Sequence, residues 1–298
     1  MYSQKLLRVY YAFGTPVHVI LQKLPFGDQI ETPFRRVAWR FVSAKIPNPL
    51  FVQSCYLYWH QGVREFIADY ASGGYEKDTR LLLESLCKPG MVMVDVGASI
   101  GYFSLSAAKQ IGEKGKVYSF EPQHINCEMM RKSIAANGLA GIVTVIEKAV
   151  ADKSCFIKLY FTEPGEAGAS LYSLADMHRS HKGTIVDVTT LDGFFESEGW
   201  PPVHIIKMDV EGAEKAALMG MKQLVARNPN LKMIIEFSPK NQANAGVGIP
   251  EFFDTLMSLG FSKLQVIRNG LQPVNIPDSI PQLSKMEGIN LFCERPPQ

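Results

Sequence analysis

The chain predicts a doubly wound α/β fold, a mostly parallel sheet with helices on both faces. Three observations carry that expectation. From residue 91 onward short apolar β-type runs alternate with helical stretches, and such succession puts parallel strands between two helical layers. One strand-to-helix junction bears a glycine turn, Gly97 to Gly101, at the carboxyl end of a strand, where open α/β sheets bind ligands. A length of 298 residues with 46% apolar side chains is also enough to bury a sizeable core.

Residues 1–50 form a distinct extension. Lys5, Arg8, Lys23, Arg35, Arg36, Arg40 and Lys45 stand against only Asp28 and Glu31, with Tyr10, Tyr11, Phe13, Phe34, Trp39 and Phe41 among them. This reads as a helical extension packed on the main domain. The same mixture in residues 1–48 would suit peripheral contact with a membrane surface or between copies of the chain. The main domain is expected over 51–298.

From Phe51 to Leu86 the pattern is helical, with Val63, Phe66, Ile67 and Tyr70 at three- and four-residue steps and then Leu81, Leu82, Leu83 and Leu86. Lys88-Pro89-Gly90 ends it. Met91 to Val96 reads as a strand, Gly101 to Ile111 as a helix, Lys116 to Glu121 as a strand and Ile125 to Asn137 as a helix. Further strands are expected at Val143 to Glu147, His204 to Asp209 and Leu231 to Phe237. Two strand-like runs, Phe156 to Phe161 and Thr184 to Thr190, bracket an insertion with Tyr172, His178 and His181 that could cover an acceptor. Phe261 to Ile267 and Ile289 to Cys293 have no helical pattern between them, so this last pair is read as antiparallel.

Charge and cysteine content exclude several classes. The 31 basic and 29 acidic residues leave +2, without the positive excess of a nucleic-acid binder. Cys55, Cys87, Cys127, Cys155 and Cys293 are odd in number and lack a C-x-x-C pair, which argues against a disulfide framework or a zinc knuckle and for the reducing cytoplasm. The apolar run Val9 to Leu21 is broken by Gly14, Pro16 and His18, so neither a spanning helix nor a clear secretion signal is expected.

The strand Val94-Asp95-Val96 runs into Gly97-Ala98-Ser99-Ile100-Gly101. Gly97 would let the backbone approach a ligand, and Gly101 would let the next helix start close to the strand. A dinucleotide fold wants G-x-G-x-x-G there. Aligned on Gly97, the first position is Asp95 and the third Ile100, and a carboxylate repels a pyrophosphate. This disfavours a nicotinamide oxidoreductase. A cationic nucleoside fits better, and S-adenosyl-L-methionine, with an ammonium and a sulfonium but no phosphate, is the cofactor expected. Glu121 ends the next strand about 20 positions on, where a carboxylate can take both ribose hydroxyls, and Pro122 stops that strand.

Asp209-Val210-Glu211-Gly212-Ala213-Glu214, preceded by Ile205-Ile206-Lys207, resembles the signature of FkbM-type methyltransferases. Tyr75-Glu76 before a Leu-rich helix, Lys88-Pro89-Gly90, Asp95 to Gly101, and Thr190-Leu191-Asp192 follow in the same order, so the likeness spans about residues 73–295. It implies a Rossmann-like sheet of seven strands with the last antiparallel, an S-adenosylmethionine donor, and a hydroxyl of a sugar, glycan or natural product as acceptor. Carried over by position, Asp95, Gly97, Ala98, Ser99 and Gly101 would hold the methionine part, and Glu121 with Pro122 the ribose. Ala149, Val150 and Asp152 would lie near adenine, although Asp152 reads equally well as a turn acid.

Methyl transfer from a sulfonium is an in-line displacement, so positioning supplies much of the rate, and an alcohol needs a base. Asp209, Glu211 and Glu236 fall at the carboxyl ends of neighbouring strands, with Lys207 on the face of Asp209. Asp209 can serve as base and can also join the cofactor's contacts. Asp209 and Glu236 could instead hold a divalent metal, or the cluster could be structural, acids being favourable in a first helical turn. No metal is assigned. His178 and His181 are further base candidates. The alternative from another class is a non-catalytic adenosyl-binding module.

Overall fold

A computed structural model describes residues 47–64, 66–161, 164–165, 168–172 and 182–296. Residues 1–46 of the extension, and His178 and His181, lie outside the described residues.

The described chain opens on a hairpin, β1 (Leu50–Val52) and β2 (Cys55–Leu57), where a helical pattern was expected. The residues between explain it. Gln53 and Ser54 both adopt positive φ, 51° and 60°, the conformation of a two-residue hairpin turn. Leu50, Val52, Cys55 and Leu57 are buried while Phe51 and Tyr56 are exposed, the period of two that a strand requires. The helical reading holds from α1 (Ile67–Ser72) and α2 (Lys77–Leu86).

The alternation then runs as expected: β3 (Val92–Val96), α3 (Tyr102–Ile111), β4 (Lys116–Phe120), α4 (His124–Ala136) and β5 (Val143–Ile146). A small excursion follows, β6 (Ala149–Val150), β7 (Cys155–Phe161) and β8 (Lys182–Thr189), before α5 (Leu191–Ser197) and β9 (Ile205–Met208). The chain continues with α6 (Glu214–Met219), α7 (Lys222–Arg227), β10 (Lys232–Phe237), α8 (Pro239–Asn244) and α9 (Ile249–Ser258). It ends on β11 (Lys263–Ile267), β12 (Leu271–Val274), α10 (Ile280–Leu283) and β13 (Ile289–Glu294).

The main sheet has the order β12-β11-β13-β10-β9-β3-β4-β5. Strands β5, β4, β3, β9 and β10 are parallel neighbours, and β13 runs antiparallel between β10 and β11. The last strand is therefore antiparallel, as the resemblance implied, but it lies inside the sheet. An eighth strand, β12, is added at the edge because Asn269 and Gly270, at φ 50° and 98°, fold the chain back onto β11.

Alternate side chains of each central strand serve two cores. Val94, Val96, Ile206 and Met208 face Leu191, Phe195, Leu224 and Phe252. Met93 and Ile205 face Phe103, Leu105 and Met130 on the other side. By the same alternation Asp95 and Lys207, paired across β3 and β9, point into that second layer beside Phe103. The strand order reverses between β3 and β9, and a crevice opens at their carboxyl ends for topological reasons alone. No helix among the described residues is long and apolar enough to cross a membrane, and the five cysteines are free.

Candidate active site

The crevice is a cleft of about 560 Å³ over the ends of β3, β4 and β9. Gly97, Ser99, Glu121, Pro122, Ala149, Val150, Asp209 and Glu211 all line it. Leu159, Ala169 and Leu171 of the insertion close the wall beside Ala149 and Val150. The described part of the insertion thus covers this cleft.

Glu121 is 4% exposed, yet its carboxylate is well supplied with donors. Ser99 N donates to Oε2 at 2.9 Å, and Gln123 N and Asn126 Nδ2 donate to Oε1 at 2.9 and 3.1 Å. Burial pushes its carboxyl up to about 7, against the pull of those donors. The Ser99 hydroxyl, in the same wall, is buried without a hydrogen-bond partner, a group awaiting a ligand.

Gly97 has a second job besides lining the cleft. A Cβ there would lie 1.7 Å from the carbonyl oxygen of Asp209, so this glycine, at φ 82°, admits the neighbouring backbone. Gly101, at φ 91°, makes room for Met130 of α4, whose Cγ a Cβ would approach to 2.6 Å.

Four predicted contacts fall outside the lining, Gly101 among them. Ala98 is buried with its N–H on the Phe120 carbonyl at 3.0 Å, and Asp152 is exposed beyond β6. Asp95, 1% exposed, turns behind the cleft and accepts from Ser104 Oγ at 2.6 Å, with Ser119 next in line at 2.8 Å. Burial raises its carboxyl above the usual range, opposed chiefly by Lys207.

Lys207 is the centre of a charge cluster. It is 2% exposed, sits 4.5 Å from the Phe103 ring centre and donates to Asp209 Oδ2 at 3.0 Å. Burial alone would lower its pKa, but Asp209, Glu76 and Asp95 more than reverse that and hold it firmly charged. Oxygens of Asp209, Glu211 and Glu236 lie within 4.8 Å of one another, a spacing one divalent cation can bridge. The chain also has its own means of neutralising them. Burial, then Asp209 and Glu211, push Glu236 up to about 10, so that it holds a proton at neutral pH. Glu211, strained at φ 51°, accepts from Asn241 at 2.7 Å. Glu214 is structural: its carboxylate accepts from Val210 N, Gly212 N and Gln242 Nε2.

Sequence reading passed over Asn126, which lines the cleft, and Glu76 and Asn290. Glu76 accepts from Asn290 Nδ2 at 2.8 Å and together they line a broader groove with Lys77, Arg268 and Lys285. Asn290 pairs with Glu236 across β10 and β13, and a Cβ on Gly288 would lie 3.3 Å from Glu236 Oε1, so the groove runs beside Glu236, the neighbour of Asp209 and Glu211 in the first cleft. Glu76 stood in a recognised stretch, but nothing local to it showed that α2 folds back to the sheet's mouth.

Fold and cleft together place a ligand-sized crevice at the switch point of a doubly wound sheet. The methyltransferase FkbM domain family matches residues 95–263, more than half of the chain, and the chain belongs to that family. Among solved structures it is similar to an SAM-dependent O-methyltransferase from Thermotoga maritima, at 14% identity and a TM-score of 0.44, over 74% of this chain and 66% of that one, just under two thirds of the latter. It is also similar to a putative rRNA-methylase from Clostridium thermocellum (11% identity, TM-score 0.45, 75% of this chain and 96% of that one). A putative O-methyltransferase from Klebsiella pneumoniae stands at 11% identity and a TM-score of 0.42, over 74% and 80%. No curated protein matches the chain.

Proposed function

We propose that this methyltransferase uses S-adenosylmethionine to methylate a hydroxyl of a small-molecule or glycan acceptor. The observation that carries the donor assignment is Glu121: a buried carboxylate at the end of β4, fixed by three donors, with an unsatisfied Ser99 hydroxyl beside it. A vicinal diol answers that carboxylate with two hydrogen bonds, and the acidic mouth favours a cationic nucleoside over a pyrophosphate. Gly97, Ser99 and Asp209 would hold the methionine end, Glu121 the ribose, and Ala149 with Val150 the base. When bound, the donor supplies an electrophilic methyl carbon on sulfur.

The chain's own residues then do the rest. The acceptor reaches the carboxylates through the groove of Glu76 and Asn290. Asp209, steadied by Lys207, takes the hydroxyl proton as the oxygen attacks, and Glu236 in its protonated form donates a hydrogen bond to the incoming oxygen. Walls bearing both acids and bases, Glu76 beside Lys77 and Arg268, suit an uncharged, hydroxyl-rich acceptor.

Calorimetry with S-adenosylmethionine and mass spectrometry of cell extracts incubated with a deuterated donor test this. Binding and a mass gain on a glycan or hydroxylated metabolite are expected. No binding, or label only on protein or nucleic acid, would overturn the respective half. Binding without any transfer would leave an adenosyl-binding module.

A further inference from the structure

His60 lies upstream of the matched family region, and its surroundings are unusually specific for a residue outside the cleft's lining. It is the N-cap of a single 3-10 turn over Gln61–Val63, and its Nδ1 accepts the Gly62 N–H at 3.1 Å. A ring nitrogen that accepts an N–H carries a lone pair, so in the neutral imidazole the proton resides on Nε2. Nε2 therefore donates to Asn126 Oδ1, 2.7 Å away. That choice fixes the Asn126 amide, with its oxygen towards His60 and its NH2 donating to Glu121 Oε1 at 3.1 Å.

Glycines hold the ring in place. A Cβ on Gly165 would come within 2.1 Å of His60 Cε1, and one on Gly62 within 2.5 Å of the Pro164 carbonyl oxygen. Gly165 N in turn donates to Gln123 Oε1 at 2.7 Å. The segment 164–165 thus closes over the imidazole, and Asn126 beneath it is 1% exposed. A buried Asn126 without its His60 donor has an unpaired oxygen, and rotating the amide to find solvent or another donor would aim that oxygen at a carboxylate.

We propose that His60 is a positioning residue for the cofactor: by dictating the polarity of the Asn126 amide it keeps the Glu121 carboxylate hydrogen-bonded and aimed into the cleft. This rests on the adenosyl reading of that cleft. The two ring nitrogens have separable jobs, the Nδ1 cap being local and structural, the Nε2 donor reaching the ribose acid.

Two variants separate them, with S-adenosylhomocysteine as the calorimetric probe. His60→Asn keeps an oxygen near the Nδ1 position, and hence the Gly62 cap, but cannot reach Asn126. His60→Gln places an amide NH2 near the Nε2 position and restores the donor. His60→Asn should bind about tenfold more weakly or worse, and His60→Gln within about threefold of wild type, the scale of one hydrogen bond to a charged group. Melting temperatures of the unliganded variants should not follow this order. Asn126→Asp should reproduce the loss, and adding it to His60→Asn should cost little more, since both act on one chain of bonds.

Wild-type affinity in His60→Asn, or affinities that simply track melting temperature, would overturn the positioning role and leave the cofactor reading standing. A wild-type chain that does not bind the probe would overturn both. Should His60→Asn fail to fold, wild-type affinity in Asn126→Asp overturns the proposal on its own.

Discussion

Replacing Lys207 by Met removes one charge from a site that cannot easily lose it. The ammonium is 2% exposed and 3.0 Å from Asp209 Oδ2, with Asp95 and Glu76 also facing it. Methionine keeps the length of the stem and its packing on Phe103, so cavity formation contributes little. What remains is the cost of a buried carboxylate without its partner, about 3–5 kcal/mol, or a melting point lower by about 6–10 °C at roughly 2 °C per kcal/mol for a chain of this size. The pH dependence gives the sharper test. A lysine whose folded pKa is raised contributes stability that is fully present below its unfolded value of about 10.4 and is lost only as pH rises through the folded one. Wild type should therefore show no lysine-linked change between about pH 6 and pH 8. In the variant the acids are unopposed. Asp95 and Glu76, already raised by burial, rise further, and a raised acid favours the fold as pH falls. Thermal melts followed by circular dichroism should show the deficit at its widest near pH 8 and narrower near pH 6. A variant that melts within about 2 °C of wild type at pH 8, or whose deficit does not narrow, would refute the view that Lys207 neutralises these acids.

Four further outcomes are expected. Glu121→Gln should weaken S-adenosylmethionine binding by roughly 10- to 100-fold through loss of charge-assisted hydrogen bonds, measured by calorimetry. In wild type, affinity should fall as pH drops through about 7, where Glu121 takes its proton, while the contribution of that same group to unliganded stability rises as pH falls from there towards its unfolded value. Gly97→Ala should abolish the fold or lower the melting point severely, because its Cβ meets Asp209 O at 1.7 Å, whereas Gly199→Ala, also at positive φ but with open space around it, should cost only about 1–2 kcal/mol. Glu236→Gln, which mimics a carboxyl already protonated, should retain turnover within about tenfold, while Asp209→Asn should lose about 10²- to 10⁴-fold in single-turnover assays. Loss of activity in Glu236→Gln together with sensitivity to chelators would point instead to a cation bridging the three acids.

The fold was legible because its signals are local and periodic. Strands β3, β4 and β9 are buried on both faces and read as apolar runs broken inside only by Asp95, Ser119 and Lys207, and the two-residue turn at Gln53 and Ser54 was missed because nothing in those residue types marks it. Asn269-Gly270 was a hairpin signal that went unread, and with it the eighth strand. In the site, Glu121 and Asp209 stand at strand ends, so counting along the sequence placed them in the cleft. Asp95 could not be placed that way. Its side chain belongs to the opposite pleat from Val94 and Val96, and only the register with Lys207 on β9 shows that it faces a lysine behind the cleft. The glycines carried a similar ambiguity: a spacing motif says that a Cβ is forbidden but not what forbids it, and at Gly97 the obstacle is the Asp209 carbonyl.

His60, Glu76 and Asn290 lie far apart in sequence from the motif residues they serve, and that separation is itself informative. The hairpin β1–β2 is fastened to α4 by Tyr58 N on Ser133 Oγ at 2.8 Å and by Asn137 Nδ2 on the Tyr56 carbonyl at 2.7 Å. The same face of that helix, two turns nearer its N-terminus, presents Asn126 to His60. A segment upstream of the matched region therefore docks on the helix that follows Glu121, and the docking and the orientation of that carboxylate share one element. Ser133→Ala, which removes the acceptor of Tyr58 N, should loosen cofactor binding even though no residue of the hairpin lines the cleft. A change at the opposite edge, such as truncating the Asn269-Gly270 turn, should leave binding untouched at equal cost in stability.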